Sequence, residues 1–220
     1  MDLGAIATSF FHSVSRTNRA ILATLIAAAS VARAQRPADH GSAVIIVGQE
    51  PVTPIPTLFG GSSANVSVSD LLFLRLARPG KTLVTTDERT FEPELAQRWT
   101  RRDSMTLVFE LDPRAKWHDG VPVTSRDVVF TFGRVRDSTV DPQRSLLLRS
   151  IASVTADGDR RVVIRFRESY PEQFYDATFH VPLLPAHLVD TIPPQRFAES
   201  GFARAPVGNG PYRWTRRVPG

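Results

Sequence analysis

From Met105 to Leu111 apolar and polar positions alternate, with Met105, Leu107, Phe109 and Leu111 set against Thr106, Val108 and Glu110. A period of two predicts a strand buried mainly on one face. Asp119-Gly120 follows as a turn, glycine being free to take positive φ. Thr124 and Asp127 fit the Ser/Thr-x-x-Asp/Glu capping box, in which each side chain satisfies a free backbone N–H of the first helical turn. A helix is therefore predicted to begin near Ser125, with Val128, Phe132 and Val135 on one face. The run V-V-F-T-F alone reads equally well as a strand, and only the cap favours the helix.

The same patterning organises the rest of the chain. Ala43 to Val47 is a short apolar run, the mark of a strand buried on both faces. Pro51, Pro54 and Pro56 rule out regular structure after it. Gly60 to Asn65 forms a loop leading into a helix whose apolar face holds Val68, Leu71, Leu72 and Leu76. Pro79-Gly80 makes a turn before an expected short strand over Lys81 to Thr85. Ile151 to Ala156 and Arg161 to Arg167 flank Asp157-Gly158-Asp159 as a hairpin, with Val162, Ile164 and Phe166 on one side and a wet, arginine-bearing side opposite. Pro171, Pro185 and Pro194 each suit the first turn of a helix, running through Phe179, Val189 and toward Ser200. Strands and helices interleave, so the fold class is α/β (mixed α+β).

Composition narrows the function by exclusion. The 220 residues carry a net charge of +5, of which the first 34 account for +2 (Arg16, Arg19 and Arg33 less Asp2). Arginines are scattered rather than blocked, so nucleic acid is not an expected partner. Arg16 and Arg19, the uncharged run Ala20 to Ala32 and the small-residue site Ala32-Arg33-Ala34 make a secretory signal peptide over residues 1–34, cleaved before Gln35. Its thirteen-residue apolar run is short for a membrane span. The chain has no cysteine, which excludes a lipidated cysteine, disulfides and thiolate metal sites. Export without a lipid anchor points to the periplasm.

Candidate chemistry is sparse. His118 and Asp119 invite a base-and-carboxylate reading, and with it a secreted hydrolase. Neighbours on an extended segment point to opposite faces, however, and a turn with a backbone-bonded aspartate and a packed Trp117 is the simpler account. His180 and His187 lack the further ligands a metal site needs. Asp70, Glu92 and Glu94 are acids whose spacing fixes no geometry. There is no G-x-S-x-G elbow, P-loop or H-E-x-x-H, so no enzyme activity and no cofactor is expected. The stretch Gly60 to Asn65 is the leading binding candidate. Its glycines let a ligand approach the backbone, Ser62, Ser63 and Asn65 offer hydrogen bonds, and a following helix N-terminus favours an anion.

The run from Trp99 to Phe132, W-T-R-R-D-S-M-T-L-V-F-E-L-D-P-R-A-K-W-H-D-G-V-P-V-T-S-R-D-V-V-F-T-F, closely resembles the signature of the family 5 extracellular solute-binding proteins. P-V-G-N-G-P-Y (Pro206 to Tyr212) is similar to that family's P-V-G-T-G-P-Y loop, with Asn209 for the usual threonine. L-L-P-A-H-L-V (Leu183 to Val189) is similar to its I-P-K-H segment. The resemblance implies a periplasmic-binding-protein-like type II fold with an incomplete first lobe over residues 35–220, the N-terminal part of a longer two-lobed protein. It implies a monomeric periplasmic component of an ABC importer for peptides or similar small solutes, partnered by permease subunits in the inner membrane. A ligand sensor or chaperone of the same fold is the rival within that resemblance.

Overall fold

A computed structural model describes residues 55–56, 63–139 and 142–218. The expected leader and the strand over Ala43 to Val47 lie outside them. The elements run α1 (Ser63–Leu72), β1 (Ala77–Pro79), β2 (Phe91–Pro93), β3 (Ala96–Asp103), β4 (Thr106–Leu111), α2 (Ser125–Arg136), α3 (Pro142–Leu147), β5 (Ile151–Ala156), β6 (Arg161–Phe166), α4 (Gln173–Thr178), α5 (Ala186–Val189) and α6 (Gly201–Arg204). Single 3-10 turns sit at Glu88–Thr90 and Pro194–Arg196.

β3, β4, β6 and β5 form an antiparallel sheet in that order. The register puts Phe109 beside Trp99 and Val162, and Leu107 beside Arg101 and Ile164, so one face of the sheet is apolar. Phe174 of α4 closes it, its ring 4.7 Å from Phe91, 5.0 Å from Trp99 and 5.6 Å from Phe109. Such off-parallel contacts suit the ring quadrupoles. The predicted strand exists but starts one residue later, and Met105 is exposed at the hairpin end instead of buried. Thr106 and Val108 are buried on the other face. Val108 and Val163 lie side by side there, next to the ion-paired row Arg98, Glu110 and Arg161, whose long stems shield them. Lys81 to Thr85 forms no strand. Leu83 takes φ +54°, a left-handed conformation no strand accommodates, and the strand is Ala77–Pro79, paired with β2.

α2 begins at Ser125 as the capping box requires. Asp127 Oδ2 accepts the Thr124 backbone N–H at 2.8 Å, and Val128, Phe132 and Val135 are buried against β5 and β6. The other oxygen of the same buried carboxyl accepts the Ala186 N–H at 2.8 Å, which fixes the start of α5. One helical turn on, Thr131 Oγ1 accepts the Leu184 N–H at 3.0 Å. Arg134 then donates to the Val189 and Ile192 carbonyls at the far end of α5. A single face of α2 thus holds the whole segment 184–192. The expected helix from Pro194 shrinks to one 3-10 turn, and Ser200 instead caps α6 by accepting the Ala203 N–H at 3.1 Å.

Asp127→Ala should be far more damaging than loss of a helix cap alone, because a second buried N–H loses its acceptor. Urea unfolding should show a loss of about 2–4 kcal/mol, against about 1 kcal/mol for an ordinary cap.

Candidate ligand-binding site

The binding candidate sits at the start of α1. The helix begins at Ser63, earlier than the pattern predicts, so Ser63 and Asn65 belong to its first turn and not to an entry loop. Ser63 is exposed and Asn65 is buried. Ser62 lies outside the described residues. The first N–H groups of a helix have no partner within it, and in this first turn Ser63 and Val66 are exposed while Ala64 and Asn65 are buried. The apolar face is also rotated from expectation. Ala64, Asn65, Ser69 and Leu72 are buried, Val68 and Leu71 are half-buried, and Leu76 reaches the core from beyond the helix end.

The other end of α1 is held by the loop Pro206 to Tyr212. The Leu72 carbonyl accepts N–H bonds from Asn209 (3.0 Å) and Gly210 (2.8 Å), and Leu71 accepts one from Tyr212 (3.2 Å). Asn209 Oδ1 takes the Leu74 N–H at 2.8 Å, so its side chain stops the helix by supplying a better acceptor than the next turn. The approach is backbone on backbone. A Cβ on Gly210 would lie 2.5 Å from the Leu71 carbonyl oxygen, and one on Gly208 would collide with that of Leu72. The loop is structural, as expected, and the asparagine at position 209 has a definite use there.

The same loop engages the turn after β4. The His118 backbone N–H donates to the Gly208 carbonyl at 2.8 Å. Its ring Nε2 lies 2.9 Å from the Gly210 carbonyl, which can only accept, so Nε2 carries the hydrogen. Trp117 is packed in the core, and Gly120 takes φ +93° to close the turn with an N–H bond to the Trp117 carbonyl. Asp119 accepts the Val121 N–H at 3.1 Å and meets His187 Nε2 of α5 at 2.8 Å. The two neighbours therefore face apart: His118 serves the loop and Asp119 serves α5. A His118–Asp119 dyad does not form. Partial burial acts to raise the Asp119 carboxyl, but the His187 and Val121 bonds outweigh it and hold the group below its ordinary value.

The remaining candidates also have partners. Asp70 pairs with Arg75 (2.6 Å) and Glu92 with Arg78 (2.7 Å). Glu94 takes the Arg75 backbone N–H at 2.8 Å, and burial raises its carboxyl. His180 lies 3.3 Å from Asp176, a different carboxylate from the Asp119 that His187 meets. Among the described residues no group of three or more His, Asp or Glu is placed to hold a metal ion. Ser69 Oγ, Trp117 Nε1, His118 Nδ1 and Asn209 Nδ2 are buried without a hydrogen-bond partner among the described residues, and all four residues border the clamp on α1. Asp119–His187 and Asn209–Leu74 were invisible in the sequence, since each joins residues far apart in the chain.

Residues 90–220 match the model of the bacterial extracellular solute-binding proteins, family 5, over its middle part. That is more than half of the chain. The chain belongs to this family. A putative ABC transporter peptide-binding protein of Brucella ovis is 37% identical over 117 residues, which is 53% of this chain and 22% of that protein. The peptidoglycan-binding protein YepA of Agrobacterium fabrum is 37% identical over 115 residues, 52% of this chain and 18% of YepA. Among solved structures, the fold is similar to the oligopeptide-binding protein AppA of Bacillus subtilis in complex with a nonapeptide (TM-score 0.61, 22% identity, 76% of this chain and 32% of AppA). It is similar also to the Escherichia coli murein tripeptide binding protein MppA (TM-score 0.63, 23% identity, 78% of this chain and 35% of MppA). The mixed helix and sheet architecture is thus that of the type II periplasmic binding proteins. The family 5 chain spans about a third of those structures and about a fifth of the two relatives. Among the described residues no helix is long and apolar enough to cross a membrane.

Two outcomes test this geometry. Gly210→Ala should destabilise the chain by about 1–3 kcal/mol, as overpacking against backbone does, and melting should detect it. For Asp119, the folded group titrates below the unfolded one, so its stabilisation is present above the unfolded value and vanishes as pH falls through the folded one. The natural chain should exceed Asp119→Asn by about 0.5–1 kcal/mol at neutral pH, a figure discounted for partial exposure. The two unfolding curves should converge in acid.

Proposed function

We propose that this chain is the solute-binding part of an ABC importer for peptides or similar small solutes. The observation that carries the reading is the family 5 match across residues 90–220. It is supported by a relative named for peptide binding in an ABC transporter and by a fold shared with AppA, whose structure holds a nonapeptide. In this reading two α/β lobes enclose the ligand, close about a hinge, and the closed form docks on permease subunits in the inner membrane. Ser62, Ser63 and Asn65, at the start of α1, contribute to one wall of the cleft. A ligand carboxylate suits the N–H groups and the positive end of the helix dipole there.

Residues 1–34 act as a cleaved leader, and the chain works in the periplasm without a lipid anchor. The role is binding rather than catalysis, since the His118 ring and the Asp119 carboxyl are each committed to holding a different part of the fold. Thermal shift of the full chain against di-, tri- and longer peptides is the direct test. A rise in melting temperature with peptides supports the reading. No shift with any peptide, together with a shift from a sugar acid or a nickel–histidine complex, would move the chain to another solute class. Ser63→Ala should weaken binding about fivefold, the worth of one hydrogen bond, while leaving the melting temperature of the unliganded chain unchanged because Ser63 is exposed.

A further inference from the structure

A groove of about 600 Å³ lies beside the β3–β4 hairpin turn, and no residue of α1 or of the loop Pro206 to Tyr212 lines it. Three segments build it: residues 86–89, Arg101 with Ser104 of the hairpin, and residues 169–173. One side-chain network locks them together. Arg101 Nε donates to Glu88 Oε2 at 3.0 Å, its Nη2 lies 2.8 Å from the same oxygen, and its Nη1 donates to Gln173 Oε1 at 2.8 Å. Gln173 is buried, and its Nε2 donates in turn to the Glu168 carbonyl at 2.8 Å. Tyr170 is held at both ends, its hydroxyl donating to Asp176 at 2.8 Å and its ring set edge-on to Phe166. Side chains already immobilised in this way lose little entropy when a ligand arrives.

Charge and hydrogen-bonding capacity define the occupant. Each arginine of the groove is matched by an acid, Arg101 by Glu88 and Arg89 by Asp87, both at 2.8 Å, so no unmatched charge favours an anion or a cation. The Arg89 bonds hold the Asp87 carboxyl down at about 2, so that pair stays ionised. Arg101 commits three of the five N–H groups of a guanidinium, and among the described residues Glu88 accepts through Oε2 alone. A spare donor and a spare acceptor therefore stand side by side. Exposed Thr86, Ser104 and Ser169 add hydroxyls that both donate and accept, while Tyr170 and Pro171 add flat apolar surface. We propose that this groove is a saccharide site, taking a neutral pyranose whose adjacent hydroxyls pair with Arg101 and Glu88 and whose C–H face rests on Tyr170. Each hydroxyl of such a pair gives and takes a hydrogen bond, as an arginine beside a carboxylate requires. A short peptide brings charged termini, for which the groove holds no unmatched partner. The site is separate from the proposed peptide-binding role and does not depend on it.

Titration of the full chain with maltotriose, cellotriose and chitotriose, followed by NMR of the backbone amides, tests the assignment, with circular dichroism confirming that each variant folds. At least one sugar should shift the Ser104, Ser169 and Tyr170 amides saturably. Arg101→Lys, which loses the planar fork, should weaken that binding about tenfold. Ser169→Trp fills the groove from an exposed position and leaves the Arg101 network intact. It should abolish sugar binding while any peptide-induced rise in melting temperature persists. No saturable shift with any of the sugars overturns the proposal. So does sugar binding that both substitutions leave unchanged, because the sugar would then sit elsewhere on the chain. Peptides that move the same amides and compete with the sugar would overturn it too, making the groove part of a peptide site.

Discussion

The carboxyl of Asp127 is the contact on which the arrangement turns. One oxygen stops the first turn of α2 from fraying, and the other holds the N–H of Ala186, so a single buried group sets both a helix start and the seat of the segment packed across it. α5 is only four residues long and has no stability of its own. Its position is inherited from α2, through Asp127 and Thr131 at one end and Arg134 at the other. His187 is carried on that borrowed scaffold to Asp119, and the turn bearing Asp119 carries His118 to the loop that closes α1. A continuous line of polar contacts thus runs from the middle of the chain to the helix at the candidate site.

That line changes the meaning of the histidines and acids. Each looks available for chemistry in isolation, and His118, Asp119, Asp127 and His187 are consumed in joining separate elements of the fold. Buried polar groups with full partners cost little and specify geometry well, whereas the same groups left unpaired are costly. Four orphaned atoms lie around the α1 clamp, and Arg134 Nη1 on α2 is another.

What the sequence could reveal follows the range of the forces involved. The capping box at Thr124 and Asp127, the hairpin around Gly158 and the strand β4 are encoded within a few residues and appear in the fold, although β4 is buried on both faces and not on one. Lys81 to Thr85 misled because nothing local announces the left-handed Leu83. The end of α1 could not be foreseen, since the residue that stops it is 135 positions away. The same holds for Asp119, whose histidine is 68 residues on rather than adjacent. The family was legible because its landmarks are long ordered strings. For the candidate binding residues the sequence carried no orientation: Ser63 and Asn65 share the first turn of α1, one outward and one inward, a distinction that depends on helix phase.

The clamp on α1 also governs when the chain can fold. A helix near the start of the described chain that is finished by residues 209 to 212 cannot be completed until nearly all of the intervening polypeptide is present. Non-local closure of this kind slows folding, because the entropy of a long loop must be lost before any of its contacts reward it. During synthesis the early part of the chain therefore remains open while the β4 to β6 sheet, with its shorter-range pairings, is free to form first. A polypeptide held open in this way stays threadable for longer, which is the condition a chain must meet if it is to cross a membrane before it folds.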